Sequence, residues 1–169
     1  MPIDKTVPDH AQESDETSHP DPRSYIPAYV DHLNESGAIN EPIVEKAFRR
    51  VPRHLFVQRF YVGDEKSGWE QVEHDSSRAQ AEHLETIYSD AALVTRLEGN
   101  VPTSSTSQPS LMAGMLELLE LRPGMRVLEI GAGTGYNSAL MAERSALVNE
   151  RDTCSVTTDS RESSRFQCS

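Results

Sequence analysis

The sequence predicts an α/β fold: an N-terminal helical region, then the first part of a nucleotide-binding βαβ unit whose sheet is incomplete. Three observations predict it. A short apolar run, Val127, Leu128 and Ile130, is closed abruptly by Gly131, Gly133 and Gly135, and good helix formers follow from Tyr136 to Arg144. Upstream, apolar residues recur at helical spacing in two consecutive stretches. Downstream of Arg144, no further alternation of strand and helix can be read.

Bulk properties narrow the function. At 169 residues the chain is long enough for one domain with a real core. A net charge of -11 argues against nucleic-acid binding through phosphate contacts. No run approaches the about 18 apolar residues of a membrane span. The N-terminus lacks a basic stretch followed by an apolar core, so a cytoplasmic protein without a secretory signal is expected. Cys154 and Cys168 lack zinc-site spacing, and with no other cysteine present they read as incidental.

Residues 1–23 are rich in Pro, Asp, Glu and Ser, too polar to offset the entropy of ordering, and read as a disordered tail. His10 and His19 there read as solvated rather than metal-binding. Ile26, Tyr29, Val30 and Leu33 then share one helix face, and Gly37 stops that helix. Asn40 can cap a second helix with Pro42 in its first turn, burying Ile43, Val44, Ala47, Phe48 and Val51. Pro52 helps end it. His54 just beyond could be a base, but a histidine hydrogen-bonded at a helix end is the simpler reading.

Residues 63–87 are polar and without clear periodicity, a loop over the site or a surface excursion, with a short helix conceivable over Gln80–Thr86. Leu93, Val94 and Thr95 suit an extended segment. The polar stretch Pro102-Thr-Ser-Ser-Thr-Ser-Gln-Pro109 leads into a helix carrying Leu111, Met112, Met115, Leu116, Leu118 and Leu119. Ser107 reads as its N-cap, placed where a hydroxyl beside free amides could bind a carboxylate.

Around the glycines the full string is Val127-Leu-Glu-Ile-Gly-Ala-Gly-Thr-Gly-Tyr136. Its G-x-G-x-G spacing differs from the G-x-G-x-x-G that cradles a dinucleotide pyrophosphate, and Glu129 precedes the first glycine by two residues. This resembles motif I of the class I S-adenosylmethionine (SAM) methyltransferases. A nicotinamide site or a plain structural turn are the alternatives. Two further stretches, Val51-Pro-Arg-His-Leu-Phe-Val57 and Tyr88-Ser-Asp-Ala-Ala-Leu93, are similar to the protein-L-isoaspartate O-methyltransferases, as is Ser107-Gln-Pro109 before a helix. Thr106 and Ser105 depart from the Thr-Ile that usually precedes that serine, and the customary Gly-Gln is absent. The motifs occur in family order across residues 26–144. Domain bounds follow: a disordered tail over 1–23, a helical and substrate-side region over 24–110, the start of a SAM-binding Rossmann-like domain over 111–144, and an aberrant, disordered tail over 145–169.

The resemblance implies methyl transfer from SAM to the α-carboxylate of an isoaspartyl residue in a protein or peptide. It implies that Ser107 orients that carboxylate. Gly131, Gly133 and Gly135 would admit SAM to the backbone, and Glu129 would anchor their loop. The insert at 63–87 also resembles members attached to ATP-grasp peptide maturation, which implies a ribosomally made peptide as the alternative substrate. Beyond Arg144 the family pattern fails. A second strand ending in a ribose-binding acid would be expected, and Glu150 or Asp152 after a stub at Ala146–Val148 are the candidates. The expectation is a coding sequence truncated or shifted in frame near residue 145, which resequencing tests, and a chain too short to be active alone. An inactive remnant is therefore the competing reading.

Overall fold

The computed structural model describes residues 19–122, 125–148, 154–159 and 163–168. A 3-10 turn at Pro22–Tyr25, capped by the Asp21 carboxylate on the Arg23 amide, leads into α1 (Ile26–Glu35). Ile26, Tyr29, Val30 and Leu33 form its buried face, as their spacing predicts. Gly37 ends the helix at φ +74°, a conformation open to glycine without steric cost. α2 (Pro42–Arg50) packs back with Val44, Ala47 and Phe48 buried. The unmatched part of the tail expected over 1–23 is residues 1–18, which lie outside the described residues.

Asn40 is not the cap of α2. Glu41 holds that position without a side-chain bond. The Glu117 carboxylate instead reaches across to accept the Asn40 amide at 2.6 Å and the Glu41 amide at 2.9 Å, a long-range cap that local spacing cannot reveal. Partial burial pushes Glu117 up, but these hydrogen bonds outweigh it and hold the carboxyl below its usual range.

The region expected to be helical over 24–110 also holds a four-stranded antiparallel sheet. Its strands are β1 (Arg59–Asp64), β2 (Gly68–Glu73), β3 (Leu93–Glu98) and β4 (Val101–Thr106), in the order β2-β1-β3-β4. The stretch read as a polar excursion is thus partly the β1–β2 hairpin, followed by α3 (Ala81–Ile87) near the short helix suggested by the sequence. β2 hides no residue fully and β1 buries only Phe60, so their alternation leaves almost no hydrophobic trace. Gly63 is obligatory, since a Cβ there would lie 2.1 Å from the Gly68 carbonyl oxygen. The two hairpin tips are stitched together: Trp69 Nε1 donates to the Asn100 carbonyl, and Asn100 Nδ2 donates to the Glu65 carbonyl.

α4 (Pro109–Leu118) buries Met112, Ala113 and Leu116 against the same core. The chain then runs into β5 (Leu128–Ile130) and α5 (Tyr136–Val148). α5 packs on α2 through the Arg50–Glu143 and Arg144–Glu41 ion pairs, at 2.9 and 2.8 Å. Its helix passes through Ala146–Val148, so the stub strand expected there does not form. Two strands, β6 (Cys154–Asp159) and β7 (Ser163–Cys168), stand where an aberrant, disordered tail was expected. β7 pairs antiparallel with β5, in the order β5-β7-β6, rather than extending a parallel sheet. An unpaired strand edge accepts any extended neighbour, which is the physical reason a hairpin can close there. Cys154 and Cys168 are backbone partners in the β6–β7 register. Glu150 and Asp152 lie outside the described residues.

Candidate active site

The candidate site lies where the end of β4, the start of α4 and the glycine loop meet. Gly131, Gly133 and Gly135 all adopt positive φ, at +74°, +57° and +81°. Three such residues within five positions fold the chain into a tight loop that other residues would strain. Gly133 passes over the end of β4, where an added Cβ would sit 3.8 Å from the Ser105 carbonyl oxygen. The fold therefore brings the glycine loop within two residues of Ser107. Sequence separation between these parts is large, and their meeting is a product of tertiary structure.

Glu129 spans the loop from strand to helix. It accepts from Asn137 Nδ2 at 2.8 Å and from the Ser138 hydroxyl, so both carboxylate oxygens are engaged at the first turn of α5. Negative charge at a helix N-terminus is favourable. Beneath the loop, Tyr136 is buried among aromatic rings, with its centroid 5.6 Å from Phe56 and 6.3 Å from Phe48. Its hydroxyl lies 3.5 Å from that of Tyr29. Burial pushes the Tyr136 phenol well above its usual range, so it is a neutral packing group. Asn137 Oδ1 is buried without a partner among the described residues.

Ser107 is half-buried two residues before the start of α4, and it is not the N-cap: Gln108 takes that position, without a side-chain bond. Capping is done from a distance by Asp90. Its Oδ1 accepts the Ser110 amide at 2.8 Å, and its Oδ2 accepts from Gln108 Nε2 at 3.0 Å. Partial burial pushes Asp90 up, but the bonds from Ser110 and Gln108 outweigh it and hold the carboxyl below its usual range. The first amide of α4 that could receive an external carboxylate is thus already occupied, since Pro109 has none to offer.

Arg53 clamps the same turn from the other side. Fully buried, it donates through Nη1 to the carbonyls of Ile87 and Ser89, at 2.8 and 2.9 Å. Through Nη2 it donates to those of Ala91 and Ser107, at 2.9 and 3.3 Å. Burial lowers its pKa, yet a guanidinium stays charged in proteins. Arg53 and Asp90 both lie in stretches that carry the family resemblance, but the sequence reading gives neither a role. A single arginine among Val51, Pro52, Leu55 and Phe56 was the available signal, because such a charge is kept only where it is hydrogen-bonded.

His54 matches the simpler of its two readings. It is buried, with Nδ1 2.6 Å from the Tyr88 hydroxyl. Burial, then the neighbouring His74 ring and Arg23, hold its pKa below 6.5. It has no part in the site around Ser107.

The family described as Protein-L-isoaspartate(D-aspartate) O-methyltransferase (PCMT) matches residues 26–158, most of the chain. The chain belongs to the protein-L-isoaspartate O-methyltransferase family. A protein-L-isoaspartate O-methyltransferase of Aeropyrum pernix is 34% identical over 114 residues, covering 68% of this chain and 34% of the relative. One from Thermotoga maritima is 38% identical over 99 residues, covering 59% and 24%. One from Pyrococcus horikoshii is 34% identical over 115 residues, covering 68% and 40%. A solved protein-L-isoaspartate O-methyltransferase superposes with a TM-score of 0.51 at 32% identity, covering 72% of this chain and 31% of that one. The architecture is therefore part of a methyltransferase fold, and the chain spans about a third of the length of the curated relatives it matches. No helix among the described residues is long and apolar enough to cross a membrane.

Proposed function

We propose that the chain carries the acceptor side and first donor loop of a SAM-dependent O-methyltransferase acting on the isoaspartyl carboxylate of a protein or peptide. The observation that carries this is the meeting of Gly133 with the end of β4, which sets a glycine loop beside Ser107. The residues present suit SAM. Gly131, Gly133 and Gly135 keep side chains away from the loop, leaving its backbone open to a ligand. The glutamate is anchored rather than free, consistent with Glu129 shaping the loop.

SAM supplies a methyl group on a positively charged sulfur. An isoaspartyl carboxylate, with a pKa of about 4, is already ionised at neutral pH and needs no base. Ser107 Oγ donates a hydrogen bond to one carboxylate oxygen and aims the other along the line of displacement. Orientation and exclusion of water are then the protein's contribution. This accords with His54, the candidate base, being already engaged by Tyr88.

One observation favours a second reading, catalytic silence. Leu128 is 67% exposed and Ile130 87% exposed, so the strand carrying the loop is poorly supported. Calorimetric titration of SAM into the 169-residue chain, followed by methylation of an isoaspartyl peptide, separates the two. Saturable one-to-one binding with methyl transfer is expected; binding without transfer supports silence, and no binding sinks the donor-loop assignment.

A further inference from the structure

The turn holding Ser107 is gripped from both ends by two charged side chains, one from each of the other two stretches of family resemblance. Arg53 comes from the 3-10 turn at Arg53–Phe56 and takes the Ser107 carbonyl. Asp90 comes from the connection between α3 and β3 and takes the Ser110 amide and the Gln108 side chain. The two grips are also joined to each other. Arg53 binds the carbonyls of Ser89 and Ala91, on either side of Asp90, so the segment presenting the carboxylate is fixed by the guanidinium. Arg53, residues 89–91 and residues 107–110 therefore form one closed hydrogen-bonded unit. The Ser107 hydroxyl has no partner within it among the described residues.

We propose that Arg53 and Asp90 are positioning residues of the acceptor site, fixing the Ser107–Ser110 turn so that the Ser107 hydroxyl, and not the N-terminus of α4, meets the incoming carboxylate. This rests on the isoaspartyl-methyltransferase reading given above. Two physical effects act together. The backbone of Ser107 is held by a charged donor, and hydrogen bonds to charged groups are stronger than neutral ones. The α4 amide that would otherwise attract an anion is filled by Asp90, and a second carboxylate there would meet a like charge. The acceptor is thereby steered to the hydroxyl. Arg53 works only through Asp90 and Ser107, and touches no substrate itself.

The test uses the full chain and two variants, Asp90→Ala and Asp90→Asn. The asparagine keeps an acceptor for the Ser110 amide and so is the conservative rescue. Three quantities are read: hydrogen-exchange protection of the Ser110 amide by NMR, the dissociation constant for SAM, and kcat and KM for an isoaspartyl peptide. For Asp90→Ala the expected results are a fall in Ser110 protection of about tenfold or more, the loss of about one net hydrogen bond, and a peptide KM raised by a similar factor. SAM affinity should stay within about twofold, and Asp90→Asn should restore most of both losses. A general structural role would weaken SAM binding in parallel, and that result overturns the proposal. So does unchanged protection at Ser110. If the wild-type chain transfers no methyl group while the Ser110 amide responds as expected, the methyltransferase reading fails for this chain and the mechanical grip on the turn stands.

Discussion

The helical hairpin and the glycine loop are supported in opposite ways. Around α1 and α2, Val30, Leu33, Val44 and Ala47 are fully buried, Phe48 is 1% exposed, and the Arg53 guanidinium ties three segments together. In β5, the apolar residues that make the strand recognisable in sequence stand largely in solvent. The glycine string is thus carried by a strand with no buried residue. Recognition of a motif measures what backbone shape a ligand needs, whereas burial measures what holds that shape in place. A chain can possess the first without much of the second. What links them here is α5, whose Tyr136 reaches down from the loop into the aromatic cluster of the hairpin.

The contrast can be broken or sharpened by substitution. Phe48→Ala should have the largest effect, about 3–5 kcal/mol in urea unfolding, because it opens a cavity where Tyr29 and Tyr136 converge. A loss under about 1 kcal/mol would show that the hairpin is not the centre of stability. Arg53→Met should cost about 2–4 kcal/mol by the same measurement, since buried carbonyls lose their donor at about 1–3 kcal/mol apiece and water replaces some. A neutral result would mean the apolar stem carries the stabilisation.

Acidification gives a shallower test. Burial, then the His83 ring, hold His74 below 6.5, and His54 is lowered likewise by burial and by His74. The unfolded chain therefore binds more protons between the folded values and 6.5. Stability is full above that range and falls as the pH drops through the folded values. The urea midpoint should decline from about pH 7 to about pH 5, and His74→Gln should flatten the slope; an unchanged slope in the variant would remove His74 from the account. Asp90 and Glu117, both lowered, add their loss only at more acid pH. Smallest of all, Ile130→Ser should change stability by less than about 0.5 kcal/mol, as surface substitutions usually do. A cost above about 2 kcal/mol would mean that β5 is covered in solution.

Much of this organisation is legible in the sequence, and for identifiable reasons. Ile26, Tyr29, Val30 and Leu33 declare a helix because one face is wholly buried, so periodicity and burial coincide. The glycine loop is legible because positive φ at three positions restricts residue choice. The antiparallel sheet is not, since β2 leaves both faces partly wet and β4 reads Val-Pro-Thr-Ser-Ser-Thr, a composition typical of loops. Capping misled twice for one reason. Asn40 and Ser107 have the right chemistry at the right place, but Glu117 and Asp90 supply the carboxylates from 76 and 20 residues away in sequence. Local propensity cannot see a long-range cap.

The stitched hairpin tips bear on how unfolding would be seen by eye of a spectrometer. Trp69 is the single tryptophan of the chain, and its indole is tethered to Asn100 at the outer rim of the sheet, away from the aromatic cluster of the helices. Intrinsic tryptophan emission is therefore a gauge of the rim alone. Should the rim come undone before the helical hairpin melts, fluorescence and circular dichroism will trace two separate curves, and the gap between them weighs one lobe against the other.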